Sequence, residues 1–228
     1  MRRSNHVLNL TFFAICSAIL FIMGFIPNLG YITIGIFSIT IIHLPVLLFS
    51  YLKGYRWGWL YGLMFGLTSY LVALTQGKTA FDALFASYPI VALAPRIIFG
   101  FLAGITFSVL KTCIHDRFKR KIALIPASFI LTVIHSLLVF LFLYIFCKEQ
   151  AEEMFNGEFW YLFYSLVFLS GTIPEAIMAA VVVPLLAWPL EPLYRRLYMN
   201  KAEDRKESQR LQGLLIARIN TDRQSDIL

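Results

Sequence analysis

Six stretches of the chain are apolar, at 8–26, 40–52, 57–75, 91–112, 122–147 and 161–190. A helix that crosses a bilayer needs roughly 20 consecutive apolar residues, so the pattern predicts an all-α integral membrane bundle of six transmembrane helices, the second of them short for a full span. Residues 1–192 form the expected membrane domain and residues 193–228 a charged tail. Within the tail the amphipathic stretch LQGLLIARI reads as a short surface helix in preference to a partner-binding one. Between the first two runs lies Pro27–Ile39, PNLGYITIGIFSI, which is too apolar for a solvated loop and too rich in Gly and Pro for a helix. Irregular backbone at membrane depth must be enclosed by protein or line a cavity, because lipid offers no partner to its N–H and C=O groups. This segment is therefore expected to form the lid or wall of a site, with Tyr31 and Ser38 as its candidate contacts.

Charge orients the bundle. Arg2, Arg3, Lys53, Arg56, Lys111, Arg117, Lys119, Arg120, Lys121, Arg195 and Arg196 fall in connections on one side, whereas the other side has only Lys78 and Lys148. Lys and Arg accumulate on the cytoplasmic side, which places the N- and C-termini in the cytoplasm. The acidic group Glu149, Glu152, Glu153 and Glu158 falls in the last outer loop, and it sets topology only weakly. With 59% hydrophobic and 14% charged residues the balance is that of a membrane protein, and six spans plus a tail are expected to leave no room in 228 residues for a separate soluble enzyme domain. The net charge of +7 flanks apolar runs, so no nucleic-acid partner is expected. Cys16, Cys113 and Cys147 are far apart, with no CxxC or Cys/His cluster, and predict structural thiols without a metal. Arg2 and Arg3 precede an apolar run that is long and lacks an A-x-A site, which reads as an uncleaved first helix.

Small residues four apart mark faces where backbones approach closely: Ala14 and Ala18, then Gly58, Gly62 and Gly66, then Gly100 and Gly104, then Ala176 and Ala180. Arg96 shares the face of Gly100 and Gly104 and is expected to point into the bundle. A charge at membrane depth costs at least about 2.5 kcal/mol and marks a functional site by default. Glu175 is the matching acid inside an apolar run. Either the two form a structural ion pair or they hold a ligand, and a guanidinium has donors enough for both. His43, Thr68, Ser69 and the stripe Ser128, Thr132, His135 and Ser136 fall at similar or middle depth. Each serves either as interhelical glue or as the wall of a polar cavity in the outer half, to which Pro95 and Pro174 add carbonyls freed from the helical ladder. Such a mixture suits a small polar solute, and Arg96 suits a carboxylate. No GxxxxGK[ST], HExxH or GxSxG motif is present, so the chain has no phosphate loop of its own and no visible catalytic machinery or cofactor site.

Four segments, GYITIGIFSITIIHLPVLL at 30–48, GYRWGWLYGLMFGLTSYL at 54–71, ALAPRIIFGFLAG at 92–104 and GTIPEAIMAAVVVP at 171–184, occur in an order that resembles the substrate-binding S components of energy-coupling factor (ECF) vitamin transporters. Within that group they are most similar to the pantothenate-specific members. The resemblance implies six helices in a prokaryotic cytoplasmic membrane and a vitamin site in the extracellular half, lined by Tyr31, Ser38, His43, Thr68, Ser69, Arg96, His135 and Glu175. It also implies an Ala14/Ala18 face that meets a scaffold membrane subunit driven by two ATPase subunits, and toppling of the S component to carry its ligand inward. The chain departs from the pattern in having KGYRWG where GP usually precedes the third helix, and in its charged tail. Other acidic vitamins such as folate or niacin fit the same chemistry. A proton-coupled secondary transporter using Glu175 and His135, and an intramembrane enzyme, are the readings from other classes.

Overall fold

The computed structural model describes residues 2–34, 37–77, 80–154 and 171–196. In chain order the elements are α1 (Arg2–Phe25), β1 (Tyr31–Ile34), β2 (Phe37–Thr40), α2 (His43–Lys53), α3 (Tyr55–Thr75), α4 (Ala80–Ser87), α5 (Pro89–Cys113), α6 (Arg117–Met154) and α7 (Ile173–Tyr194). Among the described residues five helices are long and apolar enough to cross a membrane, namely those at α1, α3, α5, α6 and α7. The second apolar run yields only the 11 residues of α2, about 16 Å of rise against a hydrocarbon core of about 30 Å. The tail stretch LQGLLIARI, Lys78 and Glu158 lie outside the described residues.

The all-α expectation needs one correction. The segment predicted to be irregular folds as an antiparallel hairpin in which Tyr31 pairs with Thr40, Ile32 with Ile39, Thr33 with Ser38 and Ile34 with Phe37. Its Ile, Thr, Tyr and Phe residues are strand formers, and pairing two strands meets many of the backbone hydrogen-bond demands that lipid cannot. A tight turn precedes the hairpin, with Asn28 at positive φ. The carbonyl of Gly30 then accepts from the N–H groups of both Ile41 and Ile42 and closes the hairpin onto the start of α2.

Side-chain contacts give the helices their direction. Gln76 Nε2, just past α3, donates to the carbonyl of Phe25 at the end of α1. Lys111 Nζ, late in α5, donates to the carbonyl of Tyr51, late in α2, and sits 4.4 Å from that ring. Arg120 Nε, early in α6, donates to the Tyr51 hydroxyl at 3.3 Å, and Lys121 lies over Trp188 of α7. One end of the bundle therefore carries the hairpin, α4 and the N-terminal turn of α5; the other gathers Lys53, Lys111, Arg120 and Lys121. Arg120, expected only as a topology signal, is buried and also a structural tie.

The tightest seam joins α3 to α5, which run antiparallel with glycines on both sides. A Cβ at Gly100 would lie 2.8 Å from the Cα of Gly62, and one at Gly104 2.6 Å from the Cα of Tyr55. The faces of Gly58–Gly66 and Gly100–Gly104 are thus buried against each other as their spacing predicts, and Ala176 and Ala180 are buried too. Ala14 and Ala18 differ: both are exposed. At Gly54 a positive φ of 79° turns α2 directly into α3, a conformation glycine adopts without steric cost. Beyond the hairpin end, Leu84 of α4, Val91 of α5 and Phe140, Leu143, Cys147 and Ala151 of α6 form an apolar cluster. Backbone angles at Cys147 leave the helical region there and break α6.

Polarity is arranged inside out. Ile15, Ile130, Ile177, Val181 and Leu185 are exposed, whereas His43, Arg96, His135 and Glu175 are buried. A soluble fold does not sustain that distribution over five long helices, because it leaves apolar surface in water and desolvates charge. Contact patterns divide the chain into a unit of Thr11–Trp188 and a second of Met1–Leu10 with the chain from Pro189 onward. In the latter, Glu191 pairs with Arg195 at 3.1 Å. The site described next lies wholly within Thr11–Trp188.

Candidate functional site

Arg96 sits on the second turn of α5 and is 6% exposed. Its Nη1 donates to the carbonyl of Val91 at 2.7 Å, while its Nε is buried without a hydrogen-bond partner. Aromatic rings flank the guanidinium, Phe85 of α4 at 4.6 Å and Phe65 of α3 at 5.8 Å. The ion pair considered from sequence does not form: Arg96 makes no salt bridge to Glu175, and the Glu175 carboxylate accepts instead from the backbone N–H of Thr40 at the end of β2. Tyr31, Asp82 and Glu175 all lie within electrostatic reach of Arg96.

Behind Arg96 stands a pair of imidazoles. His43, the first residue of α2, and His135 on α6 are nearly parallel, with centroids 6.2 Å apart and planes 13° apart. Phe99 packs on His135 at 4.7 Å and Phe65 at 5.5 Å. Neither ring nitrogen of either histidine makes a hydrogen bond of proper geometry, although the Thr40 backbone approaches His43. With Arg96 Nε this makes five buried nitrogens on three neighbouring side chains without partners among the described residues. A buried polar group left unsatisfied costs about 1–3 kcal/mol, so these nitrogens favour a polar over an apolar neighbour.

Of the hydroxyls named from sequence, Ser69 Oγ and Tyr31 Oη share a 2.7 Å hydrogen bond that ties β1 to α3. Burial pushes the Tyr31 hydroxyl up to about 12, against the opposing effect of that bond, so it remains protonated at neutral pH. Thr68 turns inward, but its hydroxyl donates to the Met64 carbonyl of its own helix at 2.8 Å, and its methyl group faces Gly24 of α1. Thr132 likewise bonds the carbonyl of Ser128. The side chain of Ser38 lies outside what the structure describes. Arg96, His43, His135, Tyr31 and Ser69 are thus brought together at the hairpin end, and Glu175 fastens the hairpin from α7.

Sequence reasoning missed Phe65, Phe99, Asp82 and Phe85. Two of them carried a readable signal: Phe99 lies three residues after Arg96, and Phe65 four before Ser69, so each shares a face with a residue already singled out. Asp82 and Phe85 belong to an eight-residue helix in a connection, and only the packing of α4 against α3, α5 and α6 brings them near Arg96.

No curated protein matches the chain. The family model described as "ECF transporter, substrate-specific component" matches residues 8–187, a span that contains the hairpin, all the site residues, three of the five helices long enough to cross a membrane and most of the other two. The chain therefore belongs to the substrate-specific components of ECF transporters, multi-pass membrane subunits that bind a small substrate, work with scaffold and ATPase subunits, and are not enzymes.

Proposed function

We propose that this chain is the high-affinity binding subunit for a water-soluble vitamin, pantothenate, in a prokaryotic cytoplasmic membrane. The observation that carries the reading is Arg96: a buried guanidinium, anchored through one nitrogen, with Nε unpartnered and no carboxylate bridged to it among the described residues. A carboxylate ligand pairs with it directly through a fork of two N–H groups, and the imidazoles of His43 and His135 suit the hydroxyl and amide groups of pantothenate. In this reading the bundle makes six passes with both termini cytoplasmic. The end that gathers Lys53, Lys111, Arg120 and Lys121 faces the cytoplasm, and the hairpin closes the site from outside. The exposed small-residue face of Ala14 and Ala18 is where the scaffold subunit docks, and two ATPases supply the energy.

The test is calorimetric titration of the purified full chain with pantothenate, folate and niacin. The expected result is tight binding of one pantothenate per chain with no response to the other two; tight binding of either instead would reassign the vitamin. In vesicles, uptake should require the scaffold, both ATPases and ATP. Accumulation by the lone chain under a proton gradient would overturn the reading in favour of a secondary transporter. Tyr31→Phe removes the bond to Ser69, and the lid reading expects pantothenate to dissociate several-fold faster, about what one hydrogen bond of roughly 1 kcal/mol implies. An unchanged off-rate in a rapid-dilution measurement would remove Tyr31 from the lid.

A further inference from the structure

The residue before Arg96 is Pro95, inside α5. Proline has no N–H, so the carbonyl four residues earlier, that of Val91, loses its helical donor. That same carbonyl is the one that Arg96 Nη1 engages at 2.7 Å. Side chains on a helix lean toward its N-terminus, which brings the guanidinium back over this vacated acceptor. Val91 is fully buried, so water is a poor substitute there, and a buried carbonyl without a donor is costly. The flanking rings of Phe85 and Phe65 are apolar faces and do not fix how the guanidinium is rotated. The Val91 carbonyl does. With Nη1 docked, the edge formed by Nε and Nη2 remains, and its two parallel N–H groups are the fork that fits a carboxylate.

We propose that Pro95 is a positioning residue for ligand recognition: by withholding a backbone donor from Val91, it creates the acceptor that locks Arg96 with its Nε/Nη2 edge presented to an anion. This rests on the reading that Arg96 binds the ligand's carboxylate. An ordinary residue at this position restores the helical hydrogen bond to Val91 and competes with Nη1 for the carbonyl. Arg96 is then free to rotate, and ordering it falls to the ligand, which weakens binding.

The experiment titrates the purified full chain with pantothenate and with pantothenol, its neutral alcohol analogue, in three forms: native, Pro95→Ala, and the backbone ester of Pro95→Ala in which lactic acid occupies position 95. The ester lacks both the proline ring and the N–H. Pro95→Ala should weaken pantothenate about tenfold, the effect of one charge-assisted hydrogen bond, and leave pantothenol nearly unaffected. The ester should recover most of the loss, because the Val91 carbonyl is vacant again. A merely structural role for the proline ring predicts instead that both ligands weaken alike and that the ester does not recover binding; that result overturns the proposal. Native affinity in Pro95→Ala, in a protein where Arg96→Ala abolishes binding, also overturns it while leaving the role of Arg96 intact. Native affinity in Arg96→Ala removes the parent reading, and with it this one.

Discussion

Arg96→Ala is expected to lower pantothenate affinity about 100-fold or more. Removing one member of a buried, hydrogen-bonded charge pair costs about 2–5 kcal/mol, and each 1.4 kcal/mol is a factor of ten. In the ligand-free protein the cost is smaller. Among the described residues Arg96 bridges no carboxylate, so the substitution breaks no ion pair: it strands the Val91 carbonyl and two aromatic faces and removes a more distant attraction to Asp82 and Glu175. The signature is therefore a large loss of affinity in a chain that still folds, as read by calorimetry beside a thermal melt. Pantothenol provides the specificity control: the native chain should prefer pantothenate strongly, and the variant should bind both weakly and about equally. Unchanged pantothenate affinity would show that the guanidinium serves the fold.

Gly62→Val is expected to be the most damaging substitution for the fold itself. A Cβ there would lie 3.0 Å from the carbonyl carbon of Arg96 and from the Cα of Ile97, both backbone atoms that cannot step aside. Overpacking a side-chain interface costs about 1–3 kcal/mol; against backbone the helices must separate, and at least the upper end of that range is expected. Because the obstructing backbone belongs to Arg96, the displacement also moves the guanidinium, so melting temperature and pantothenate affinity should fall together. Ala14→Leu makes the contrast. It lies in the same small-xxx-small pattern but is exposed, so the lone chain should melt and bind as before, whereas ATP-driven uptake with the scaffold present should fail. A normal melt for Gly62→Val would mean that α3 and α5 are less tightly joined than their backbones indicate.

These two predictions divide what was legible from what was not. The glycine seam could be read because spacing of four is a local helical property: Gly58, Gly62 and Gly66 share a face wherever that helix is placed, and a face without side chains invites a backbone. The membrane setting and the burial of Arg96 follow equally locally, since 20 apolar residues have few other fates and a charge among them must turn inward. The hairpin was less legible. Its Gly and Pro content signalled irregular backbone, but strand pairing between Tyr31–Ile34 and Phe37–Thr40 is a relation between segments that composition does not express.

The apolar helices, the alternation of charge between successive connections and the identity of the few polar residues that must lie inside can all be read from the order of residues along the chain. How those residues are used depends on packing between elements. Glu175 was a plausible partner for Arg96 and fastens the hairpin instead. Thr68 was one of several polar residues at depth, and its hydroxyl donates to its own helix, which leaves it an acceptor on that wall. Ala14 and Ala18 matched the buried glycine faces in spacing and lie on the surface. Asp82 and Phe85 reach Arg96 only because α4 folds back over it. For Glu175, Asp82 and Phe85 the deciding quantity is a distance to a residue on another element, and helical periodicity says which way a side chain faces on its own helix, not what stands opposite it.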